Sequence, residues 1–99
     1  MMDTDQQLVV EADFALVAAT KKYLQAEPWE RPAIQPALDQ ARANWAGARY
    51  RLLFPDVVTV QQDVDEARRL RQKIEQAADT QAMIQSLIDL AGLLLKFAH

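Results

Sequence analysis

Ninety-nine residues without one cysteine fit a single domain and exclude disulfides, thiolate metal sites and cysteine nucleophiles. Eleven basic residues against fourteen acidic ones leave a net charge of −3, which disfavours a broad nucleic-acid footprint. The opening MMDTDQQ has no basic stretch ahead of an apolar run, so a signal peptide is not expected. The longest apolar segment, 84–98, is broken by Gln85, Ser86, Asp89 and Lys96 and falls short of the roughly 20 residues of a membrane span. A cytoplasmic protein fits these features. Charge is unevenly spread: residues 1–27 carry five acids and two lysines (net −3), whereas 28–54 carry two acids and four arginines (net +2).

The first predicted helix runs over 5–26. Thr4 followed by Gln7 spells a capping box, and Asp5 adds negative charge at the positive helix end. At 100° per residue, Leu8, Val9, Ala12, Ala15, Leu16, Ala19 and Tyr23 form one apolar stripe. Val10, Phe14, Val17 and Leu24 form a second line, set apart from the first by Asp13 and Thr20.

The linker Glu27-Pro28-Trp29-Glu30-Arg31-Pro32 stops that helix. Pro36 lacks an N–H and opposes a helix begun at Pro32, so a short turn is expected at 32–35 and the second helix over 36–54. Ile34, Leu38, Ala41, Trp45, Ala48 and Leu52 repeat at spacings of four and three, an a/d stripe. Pro55 ends it. The third helix is predicted over 57–78, capped by Asp56 or Thr59, with Val60, Val64, Ala67, Leu70, Ile74 and Ala77 inward and Asp65–Arg69 and Arg71–Glu75 pairs on the solvent side. Asp79 caps a fourth helix over 80–97, and the short connection at 78–80 makes helices three and four an antiparallel hairpin. Helices of about 18–22 residues are some 27–33 Å long. The expected fold is therefore all-α, an antiparallel four-helix bundle running up-down-up-down. The similarity of TDQQLVVEA (4–12) to TVQQDVDEA (59–67) is ascribed to two capped helix starts rather than duplication.

Helix four carries the strongest functional signal. Gln81, Gln85, Asp89, Gly92 and Lys96 fall within a sector of about 80°, and almost everything else is apolar, roughly twice the arc of about 100° that a bundle helix needs. Together with the second line of helix one, this surplus predicts a partner interface made by Val10, Phe14, Val17, Leu90, Leu93 and Phe97, since soluble monomers mostly avoid contiguous exposed apolar patches. The competing reading places both faces in the core.

Other constellations favour structural readings. His99 is the only histidine, so neither a di-iron site nor a Ser-His-Asp triad can be assembled, and no metal or cofactor is expected. Asp63 and Arg71 point into the apolar sector of helix three, where an arginine stem lies along the core and its head reaches water. Arg31, Arg42, Arg49 and Arg51 near Trp45 and Tyr50 could contact phosphate and stack a base, but a solvated flank explains them better. Trp29 either plugs one end of the bundle or, if exposed, becomes a binding candidate. The sequence therefore points to a small helical protein–protein interaction module without catalysis, forming a homodimer. The alternatives are a hetero-complex through the same surface, or nucleic-acid binding through the arginines of helices two and three.

Overall fold

The computed structural model describes residues 3–54 and 56–98. Four helices follow one another: α1 (Thr4–Gln25), α2 (Arg31–Arg51), α3 (Gln61–Gln76) and α4 (Thr80–Leu95). All-α architecture and a four-helix bundle are thus as expected, with shifts at the ends.

Asp3, one residue earlier than expected, caps α1. Its carboxylate accepts the Gln6 N–H at 2.8 Å, and the Gln6 side chain accepts the Asp3 N–H at 3.2 Å. The Asp3 carboxylate fills the capping role and leaves Thr4 to meet Thr59 across the bundle, with hydroxyl oxygens 2.7 Å apart. At α3 the cap moves the other way, one residue past Thr59, to Val60. Thr59 lies in an extended segment, and Asp63 accepts the Val60 N–H at 3.0 Å, so the expected helix over 57–60 is not formed.

Helix α2 starts at Arg31 and runs unbroken through Pro36, against the expected start at 36. Pro36 is the sixth residue of the helix, just past the first four donors that lack intrahelical acceptors, so its ring costs a single bond, to the Pro32 carbonyl. Burial of Ile34 and Leu38 on one line holds this segment helical. Asp79 caps α4 as expected, accepting the Ala82 N–H at 2.7 Å.

Contacts fix the directions. Thr4 meets Thr59, Glu11 meets Arg68, and Lys22 Nζ donates to the Ala77 carbonyl at 2.9 Å, so α1 and α3 run parallel. Asn44 Nδ2 donates to the Ala91 carbonyl at 2.8 Å, and the Thr80 hydroxyl donates to Glu30 near the helix starts, so α2 and α4 run parallel too. Trp45 against Asp13 and Lys96 against Asp63 make α1–α2 and α3–α4 antiparallel hairpins. The close pairs are α2·α4, α1·α3, α3·α4 and α1·α2, which places α1 diagonally across from α4. Direction alternates, yet α3 lies beside α1, not α2. The nine residues between Arg51 and Gln61 allow this crossing, since such a chain can span up to about 30 Å.

The core is one cluster drawn from all four helices, with Leu8, Ile34, Leu38, Leu70, Ile74, Leu87 and Leu94 fully enclosed. Small residues of α1 (Ala12, Ala15, Ala19) are completely buried and let its neighbours approach closely. Among the described residues, no helix is long and apolar enough to cross a membrane.

Candidate docking surface

Helix α1 is held in rotation from both sides. Toward α2, Trp45 Nε1–H donates to Asp13 at 2.9 Å, Arg42 donates to the Thr20 hydroxyl at 2.7 Å, and the Tyr23 hydroxyl bonds Gln35 at 2.6 Å. Toward α3, Glu11 accepts from Arg68 Nε at 3.0 Å and from Arg71 Nε at 2.5 Å. Burial alone pushes the Glu11 carboxyl up, but its bonds to Arg71 and Arg68 outweigh this and hold it below the ordinary range. The same contact with Glu11 raises Arg71. Arg71 also reaches Glu75 at 2.9 Å, as expected for that pair, whereas Arg69 pairs with Glu66 and not with Asp65.

These contacts leave the second apolar line of α1 facing outward. Val17 lies two residues before the fully buried Ala19, hence about 200° round the helix from it. Phe14, Val17 and Leu24 are 57%, 64% and 63% exposed, and Val10 is half-buried. Residues 10, 14, 17, 21 and 24 thus repeat at spacings of four and three on the outside, with Lys21 the one charge in the line. Two clefts border it. One of about 510 Å³ lies toward α3, beside Phe14, Val17, Lys21 and Arg71. The other, of about 450 Å³, lies toward the end of α2, beside Val9, Val10, Arg49 and Leu53.

The α4 half of the predicted surface is different. Leu90, Leu93 and Phe97 are buried in the core and cannot touch a partner while the fold is intact. Each side of α4 packs on a neighbour, α2 or α3, so its buried arc is far wider than the stripe of a surface helix. Ser86 lies within that arc and is satisfied by donating to the Ala82 carbonyl at 2.9 Å. The exposed surplus falls on the opposite flank, at Ile88 and Leu95. Sequence reasoning missed these two; the i,i+7 spacing of Ile88 and Leu95 around Gly92 was the available signal.

Most of the remaining candidates fall into structural roles. Asp63 is buried and bonded both to the Val60 N–H and to Lys96 Nζ at 2.8 Å. Arg31 donates to the Leu24 carbonyl at 2.8 Å and lies over the Tyr23 ring, while Arg51 contacts Asp56 and the Phe54 ring. Arg31, Arg42 and Arg51 therefore spend donors within the chain; Arg49 borders the cleft near Leu53. Trp29 is 76% exposed, so it plugs nothing and remains a binding candidate. His99 lies outside the described residues.

No protein-family description, curated protein or solved structure matches this chain.

Proposed function

We propose that this chain is a protein-interaction module, without catalysis, that docks through the outer face of α1 and takes a second copy of itself as partner. The observation supporting this is the line Val10, Phe14, Val17, Leu24. Four apolar side chains along about 21 Å of one helix face solvent while the same helix buries its other side. Helical recognition surfaces commonly present such i, i+4, i+7 anchors. The internal engagement of Arg31, Arg42 and Arg51 argues against reading the arginines as a nucleic-acid surface. A cytoplasmic setting suits a chain without cysteine.

Dilution followed by amide NMR tests the reading. Resonances of residues 10–25 should shift with concentration while those of α3 stay fixed. Shifts confined to Ile88 and Leu95 would move the docking face to α4. A heterologous partner is the second reading, and it acquires support only if no concentration dependence is found anywhere.

A further inference from the structure

The proposal above leaves the geometry of self-association open, and the charges of α1 decide it. All acids of this helix lie in its first half, at Asp5, Glu11 and Asp13, and both lysines, Lys21 and Lys22, lie in its second. Glu11 is neutralised by Arg68 and Arg71. Among the described residues, Asp5 and Asp13 accept hydrogen bonds from neutral donors, Thr59 and Trp45, and neither forms an ion pair, although Arg49 lines the same cleft as Asp5. Lys21 is exposed and makes no ion pair among the described residues. A parallel pair of α1 helices would set Lys21 against Lys21 and acids against acids in a partly dry seam, where like charges are costly. An antiparallel pair apposes the cationic half of each helix to the acidic half of the other, and it opposes the two helix dipoles as well.

We propose, resting on the docking reading above, that two copies pair through antiparallel α1 helices crossing between Phe14 and Val17. In this register Phe14 packs on the partner's Val17, and Val10 lies beside the stem of the partner's Lys21. Placing positions of one kind against those of the other follows the layering of interdigitated helices. The strip is about 21 Å long and one helix, about 10 Å, wide. It is well below the ~800 Å² per partner of a standard interface, so the dimer dissociates readily and its orientation depends strongly on the charges at its rim.

Absence of native cysteine allows a clean test. Positions 10 and 21 are about 16 Å apart along one helix, so antiparallel pairing in this register holds the two position-10 side chains about that far apart, beyond disulfide reach. A Val10→Cys variant, which keeps Lys21, should therefore form no disulfide between chains when oxidised at concentrations where it dimerises. A ready 10–10 link would establish parallel pairing and overturn the proposal. Lys21→Glu provides an independent readout: it should weaken dimerisation about fivefold, whereas an unchanged constant would overturn the antiparallel register. Native protein that dimerises but fails both tests loses the register and keeps the docking face; protein that never dimerises loses both.

Discussion

At the residue scale, the Glu11 carboxylate joins two helices, α1 and α3, through two guanidinium cations and so sets which side of α1 faces outward. Folded Glu11 binds its proton more weakly than the unfolded chain does. Its contribution to stability is therefore present above the ordinary glutamate value of 4.5 and is lost as pH falls below it. Glu11→Gln should destabilise the fold by about 1–3 kcal/mol near neutrality, because Arg68 and Arg71 lose their shared acceptor. The variant should also lose less stability than the native chain between about pH 5 and pH 3, as urea titrations at the two pH values would reveal. A variant that kept the native acid sensitivity would show that another carboxylate governs it. Asn44 plays the matching role between α2 and α4. Asn44→Ala removes the buried bond to the Ala91 carbonyl and should cost about 1–2 kcal/mol.

At the element scale, α1 and α4 behave differently although both looked two-faced in the sequence. The a/d stripe of α2 and the inward residues of α1 and α3 were legible directly, because each such helix buries one sector and a 3.6-residue period exposes that sector to counting. Helix α4 defeated the same method. Its apolar arc is wide because both its flanks are packed against neighbours, and periodicity cannot tell a wide buried arc from a narrow arc plus an exposed strip. Cap positions at α1 and α3 differ from the expected ones by one residue. Asp3 and Thr4 satisfy local rules about equally, whereas at α3 local rules favour Thr59 over Val60 and the hydroxyl of Thr59 is taken by Thr4 and Asp5 across the bundle. The neighbour order was beyond the sequence, because the 52–60 connection is long enough for either arrangement. Two substitutions separate the helices. Leu90→Glu should unfold the chain, whereas Val17→Glu should leave its melting temperature nearly unchanged; circular dichroism distinguishes these outcomes. Gly92 is exposed, and a methyl group added there meets nothing within 4 Å. Gly92→Ala should therefore stabilise the protein by about 0.5–1 kcal/mol through the backbone entropy of the unfolded chain.

At the scale of the whole molecule, two antiparallel hairpins lie side by side with α1 and α4 at opposite corners. The larger uncovered apolar line belongs to α1, and α1 is held there by polar contacts on both flanks. Every helix reaches the common core, so the dimer proposed above adds a second copy to a core that is already closed. That distinguishes this chain from obligate dimers, which lack a folded monomer. The most direct test of the account is the solution mass by light scattering over a thousandfold concentration range, for the native chain and for Val17→Glu. The native mass should climb from 11.2 kDa near micromolar concentration toward twice that value at about millimolar, while Val17→Glu stays at the monomer mass throughout. A native chain that remains at 11.2 kDa across the range, or a Val17→Glu variant that dimerises equally well, would contradict it.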